Sequence, residues 1–135
     1  MNKLPNEELT MATRIRITAG LVSMPAELND SKTAAAIESE LPVQATARTW
    51  GDEIYFTTSV EQQLDDTAVE IVEIGDLGYW PSGRAFCIFF GPTPASRGDE
   101  IRPASAVNLI GRVAGDAKAF KAVPEGELVR IEKVP

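Results

Sequence analysis

The sequence predicts a mainly β fold, a closed barrel or sandwich of about eight short strands with one main helix and one short helix. Three observations carry this. The apolar residues fall mostly in short runs with the period of two that suits strands. Ten glycines and nine prolines punctuate those runs at short intervals along 135 residues. Only one stretch carries a sustained helical pattern, so strands and helices do not alternate as a doubly wound parallel sheet requires.

Residues 1–12 are polar and unpatterned and read as a flexible tail. One domain is expected over residues 13–135. "TRIRI" alternates Ile15 and Ile17 with Arg14 and Arg16. After "TAG", "LVSMPAEL" puts Met24, Ala26 and Leu28 on one face, and the pair reads as a hairpin. "NDSKTAAAIESELP" reads as the main helix, from roughly Ser31 to Glu40. Asp30 or Ser31 caps it, alanines favour it, and Pro42 stops it. Ala34, Ile37 and Leu41 share its buried face. "VQATART" and "DEIYFTT" follow as strands joined at Trp50-Gly51, with Glu53 and Tyr55 on one face of the second and Ile54 and Phe56 on the other. "TAVEIVEIGD", "LGYW", "RAFCIFF" and "ASAVNLIGRV" complete the middle of the sheet. "DAKAFK" reads as the short helix and "ELVRIEKV" as the closing strand.

Composition narrows the function classes. Hydrophobic residues make up 44% and charged residues 24%, the balance of an ordinary globule. No apolar run approaches the ~20 residues of a membrane-spanning helix. The N-terminal stretch lacks the apolar h-region of a secretory signal, so a cytoplasmic location is expected. Thirteen basic residues face twenty acidic ones, for a net charge of −7. Nucleic-acid binding needs a basic face, and anionic membranes repel this sign, so neither partner is expected. One cysteine forms no intramolecular disulfide. There is no histidine, which excludes Ser-His-Asp and Cys-His chemistry and any zinc site that uses histidine. No GxGxxG, P-loop or zinc motif occurs, and no cofactor or metal is expected.

The stretch "YWPSGRAFCIFFGPTP", Tyr79 to Pro94, concentrates aromatic residues and the only cysteine between two punctuated turns. In a strand, Phe86, Ile88 and Phe90 point one way and Ala85, Cys87 and Phe89 the other. The first set reads as core. The second reads either as packing or as the floor of a groove. Trp80, extended because Pro81 follows it, reads either as a cap on the core or as a ligand wall with one N–H donor. Cys87 reads as a buried structural thiol before it reads as a nucleophile. Glu53 and Tyr55 read as a solvated exterior or as an acid and a phenol facing the groove.

"WGDEIYF", "GDLGYWPSGRAFCIFFGPTP" and "PASAVNLIG" resemble the signatures of a small prokaryotic cyclophilin-like family of uncharacterised proteins. The resemblance covers essentially all of the chain after the tail. It implies a closed cyclophilin-like β-barrel capped by helices, and no established activity. A weaker likeness to true cyclophilins sets Tyr55 where their catalytic arginine stands. The same likeness sets Trp80 and Pro81 at an alanine and an asparagine, and Ala85 and Cys87 at a glutamine and a phenylalanine. An arginine would stabilise the twisted X-Pro amide by a charge-assisted hydrogen bond, about twice as strong as the neutral bond a tyrosine offers. Prolyl isomerase activity is therefore expected to be weak or absent. The resulting expectation is a groove lined by Glu53, Tyr55, Trp80, Cys87 and Phe89 that binds a peptide segment or small molecule. The alternatives are a weak peptidyl-prolyl isomerase, or an enzyme or accessory subunit acting on a small amide or lactam. No catalytic residue is assigned.

Overall fold

Strands β1 (Thr13–Ala19) and β2 (Val22–Leu28) form the predicted hairpin, turning at Gly20, whose φ of 59° suits a residue without a Cβ. Alternation sends Ile15, Ile17, Met24, Ala26 and Leu28 inward, and all are buried. The computed structural model describes residues 12–135, so the polar tail expected over residues 1–12 lies outside them apart from Ala12. Helix α1 (Lys32–Ser39) is capped by Ser31, whose Oγ accepts from the N–H of Ala34 at 3.2 Å. Ala34 and Ile37 enter the main core, and Leu41 packs partly buried against it.

The remaining strands are β3 (Val43–Thr46), β4 (Arg48–Thr49), β5 (Glu53–Thr57), β6 (Ala68–Val69), β7 (Asp76–Trp80), β8 (Ala85–Phe89), β9 (Val107–Val113) and β10 (Leu128–Lys133). They form one ten-stranded antiparallel sheet in the order β3-β10-β1-β2-β9-β7-β8-β5-β4, with β6 added to β9. Its two ends, β3 and β4, lie on one stretch of chain interrupted only at Ala47, so the sheet nearly closes on itself as a barrel. No described helix is long and apolar enough to cross a membrane.

Ten strands replace the expected eight or so for local reasons. The run "VQATART" breaks at Ala47, whose N–H donates to Glu127 O at 2.7 Å and whose carbonyl accepts from Gly126 at 2.8 Å. The run "TAVEIVEIGD" keeps only β6 and a single bridge from Val72 to Ile101. There the Asp76 carboxylate accepts from the N–H of Glu73 at 2.8 Å and bends the chain, leaving Ile71 and Ile74 exposed. "DAKAFK" forms a short 3₁₀ helix, Ala117–Ala122, whose Phe120 is buried and tilts against Phe90.

The buried polar side chains of the described residues are paired. Phe56 and Phe86 stack with centroids 5.3 Å apart. Tyr79 is wholly buried; its hydroxyl donates to Val60 O and accepts from the N–H of Gln62 at 3.2 Å. Asn108 accepts from the N–H of Asp65 at 2.8 Å and donates to Thr33 Oγ1 at 3.0 Å and Gln63 O at 2.9 Å. These bonds fasten the long connection between β5 and β6 to the barrel and to α1.

Candidate functional site

Strand β8 separates two apolar regions. Phe86, Ile88 and the following Phe90 belong to the barrel core, while Ala85, Cys87 and Phe89 belong to a second cluster with Val72, Ile101 and Val107. Residues directly opposite in an antiparallel pair share a face. The register sets Glu53 against Phe89, Tyr55 against Cys87, and Trp80 against Ala85, so all six stand on the outer face. Gly78 is opposite Cys87 and leaves room there. A Cβ on it would lie 3.1 Å from Val107 and 3.2 Å from Phe89, so the bare glycine lets the second cluster close over the sheet.

The connection between β8 and β9 covers this outer face. The Thr93 hydroxyl donates to Arg102 O, and Ser96 Oγ accepts from the N–H of Thr93 at 2.9 Å and of Arg102 at 3.1 Å. Arg102 pairs with Glu100 at 2.7 Å. The bridge from Ile101 to Val72 holds the far side. The turn at Trp50-Gly51 docks on the start of the same connection, with the N–H of Asp52 donating to Pro92 O at 2.9 Å. Gly51 is required there, since its φ is 61° and a Cβ would meet Pro92 O at 2.9 Å.

Between the covering segment and the sheet lies a cleft of about 200 Å³ lined by Trp50, Glu53, Tyr55, Trp80, Pro103, Ala104 and Val107. Three of the five residues expected in the groove, Glu53, Tyr55 and Trp80, reach it. Cys87 and Phe89 are 1% and 0% exposed and lie in the packed cluster beside it, off the lining. Sequence reasoning passed over Trp50, Pro103, Ala104 and Val107. Trp50 was legible only as a turn residue, and the proline segment comes into place through a connection that no periodicity describes.

Trp80 is held on two sides. Its indole N–H donates to Ser105 Oγ at 2.6 Å, so the donor expected to be free for a ligand is already engaged. Gly83 lies against the ring, and a Cβ there would sit 2.7 Å from two of its carbons. Pro81–Gly83 forms a 3₁₀ turn, and the left-handed position falls on Arg84, with φ of 50°. Arg84 pairs with Glu61 at 3.0 Å.

Glu53 is the chemically unusual member. It is 6% exposed, and among the described residues no lysine or arginine lies within salt-bridge distance. Burial pushes its carboxyl from 4.5 up to about 7, with the neighbouring Cys87 thiol pulling slightly the other way. Burial also raises Cys87 well above the ordinary thiol range, and the Glu53 charge raises it further. Cys87 is therefore a protonated, inert thiol, which donates weakly to Ala85 O at 3.7 Å. Among the described residues no group of acids and cysteine is arranged to hold a metal ion.

A second depression, larger and shallower at about 460 Å³, is lined by Glu27, Asp30, Asp76 and Arg112 among others. Its buried acid, Asp76, is paired with Arg112 at 3.3 Å and with the N–H of Glu73. Its buried acid thus has a cationic partner, and the buried acid of the aromatic cleft has none among the described residues.

The comparisons agree with this architecture. The cyclophilin-like family matches residues 13–132. The solution structure of a hypothetical protein from Archaeoglobus fulgidus is 42% identical, with a TM-score of 0.79 over 92% of this chain and 96% of that one. Among curated proteins none matches. With a match over nearly all of the described residues, and a nearly closed barrel beneath it, this chain belongs to the cyclophilin-like family.

Proposed function

We propose that this protein binds a small molecule, or one protruding side chain of a peptide, in the cleft lined by Trp50, Glu53, Tyr55 and Trp80. One observation carries the reading. Of the five buried polar residues among those described, Thr33, Asp76, Thr93 and Asn108 hold hydrogen bonds to oxygen or nitrogen groups of the protein, whereas Glu53 lines the cleft with only the weakly bonding Cys87 thiol beside its carboxyl. A buried acid with no cation beside it is costly and therefore marks a candidate site. The cleft volume falls below the ~300–1,000 Å³ of sites for drug-sized ligands, which favours a small occupant. Mapping amide and indole shifts by NMR against a set of small metabolites and proline-containing peptides tests this. Shifts centred on Trp50, Trp80 and Val107 are expected; shifts confined to the depression around Asp76 and Arg112 would refute the assignment.

A second reading is general acid–base chemistry on a small amide or lactam. It is favoured by the Glu53 carboxyl lying near 7, where one group both gives and takes a proton efficiently. Turnover of simple lactams, lost in Glu53→Gln, is its expected signature. Prolyl isomerisation has less support, because among the described residues no arginine or lysine lines the cleft. Exchange of an X-Pro test peptide is expected to stay near the uncatalysed rate, and Tyr55→Arg is the change that would raise it.

A further inference from the structure

The charge and shape of the cleft identify a ligand class. Its walls are two tryptophans and a tyrosine, its remaining lining is apolar, and its one ionisable acid is 6% exposed with no cationic partner among the described residues. Aromatic faces carry negative potential and attract cations, more strongly when the cation is desolvated. An anion beside those faces adds to the same field, and no basic residue of the lining opposes it. The wall is also fixed in advance, because Ser105 and Gly83 hold the Trp80 ring from two sides. Preorganisation of this kind lowers the ordering cost of binding.

We propose that the cleft selects small organic cations, alkylammonium groups presented either by a free metabolite or by a side chain of a peptide. The inference rests on the cleft being the ligand site. Within it, Glu53 supplies the counter-charge, and Trp50, Tyr55 and Trp80 enclose the alkyl groups on the nitrogen. A strongly hydrated inorganic cation gains little here, since the aromatic walls and apolar lining replace none of its water ligands. A neutral ligand of the same shape keeps the apolar contact and loses both the cation–π and the ionic attraction.

The test compares choline with 3,3-dimethylbutan-1-ol, a neutral molecule of nearly the same shape, at pH 8.5, where Glu53 is ionised. Binding is read from the Trp50 and Trp80 indole N–H resonances, with a short Ala-Pro peptide as a third ligand. Choline is expected to saturate those shifts at least about tenfold more tightly than its neutral counterpart, a difference of ~1.4 kcal/mol. Glu53→Gln, which keeps size and removes charge, is expected to abolish most of that preference. Equal binding of choline and the neutral analogue would overturn the cation selectivity and leave the cleft as a ligand site. Peptide shifts without choline shifts would do the same. Silence of the indole signals toward all three would overturn the cation proposal and count against the cleft itself. The comparison in the unaltered protein stands whether or not the variant folds.

Discussion

The two faces of β8 meet different fates although both are buried. Phe86 and Ile88 point into the barrel, where Phe56 stacks on Phe86. Ala85, Cys87 and Phe89 point outward into a smaller cluster roofed by the connection between β8 and β9. That cluster runs out at one side into a cleft with a lone carboxyl and partly exposed aromatics. Inside, packing is limited by the closure of the sheet. Outside, it is limited by one loop, and the imperfect seal leaves the cleft open. The same strand thus contributes to the closed core with one face and to the floor beside an open cleft with the other.

The sharpest way to break this comparison is to truncate one residue from each side. Phe86→Ala removes a wholly buried ring from the closed interior and is expected to cost about 3–5 kcal/mol in urea melts. Trp80→Ala on the outer side should cost less, about 1–2 kcal/mol, because the indole is only part-buried and leaves its gap open to water. Equal large losses would make the outer cluster as integral as the inner one and return Trp80 to the role of a core cap.

The next effect in size is electrostatic and belongs to the outer face alone. Glu53 titrates near 7 in the folded protein and near 4.5 when unfolded, so between those values the folded state binds the extra proton. Stability from this group is therefore greatest below pH 4.5 and declines as the pH rises to about 7. The full span corresponds to roughly 3 kcal/mol as an upper bound. Glu53→Gln should flatten that slope and make the variant the more stable protein above neutrality. Other groups do not carry this difference. The Cys87 thiol on the paired strand stays protonated, Tyr55 shares the strand of Glu53, and Asp52 is engaged by Lys121 at 3.7 Å. In the covering connection Glu100 is paired with Arg102. Asp76 is also raised by burial, but it is common to both proteins and cancels in the comparison. A parallel pH dependence of the two melts would show that Glu53 is neither dry nor unpaired.

What the sequence discloses follows the same division. Alternation in "TRIRI", "SMPAEL" and "RAFCIFF" identifies the inward residues, because closure of a sheet obeys the local period of two. The cap, legible as Asp30 or Ser31 and taken by Ser31, and the buried Ala34 and Ile37 are equally local features, since helix capping and spacing are local. The candidate site is half legible. Glu53 and Tyr55 share a face by alternation, and the family resemblance turns that face toward a groove. Cys87 and Phe89 share it too, yet the connection between β8 and β9 covers them, and no local pattern records where a long connection folds back. For the same reason Trp50, Pro103 and Ala104 escape notice. The turn after Trp80 shows a subtler limit. Gly83 reads from the sequence as a turn or close-approach glycine, and a tryptophan ring does lie on it, but the left-handed position falls on Arg84, which no local pattern marks.

The smallest expected effect separates the site from the scaffold most cleanly. Ser105 accepts from the Trp80 indole at 2.6 Å, in an exposed position. A net hydrogen bond is worth ~0.5–1.5 kcal/mol, and toward the lower end where water replaces the lost partner. Ser105→Ala should therefore shift the melt by about 0.5 kcal/mol or less. Its effect on the cleft should be larger than its effect on folding. Released from Ser105, the ring keeps its contact with Gly83 but gains freedom about its side-chain bonds, and each ligand must then pay to order it. The Trp80 indole N–H should exchange faster with solvent, and choline affinity should fall several-fold while the melt hardly moves. If exchange and affinity stay unchanged, packing alone fixes the ring and the bond is incidental. If the melt falls as far as in Trp80→Ala, Ser105 supports the outer cluster as a whole, and the line drawn between its packed centre and its open edge lies in the wrong place.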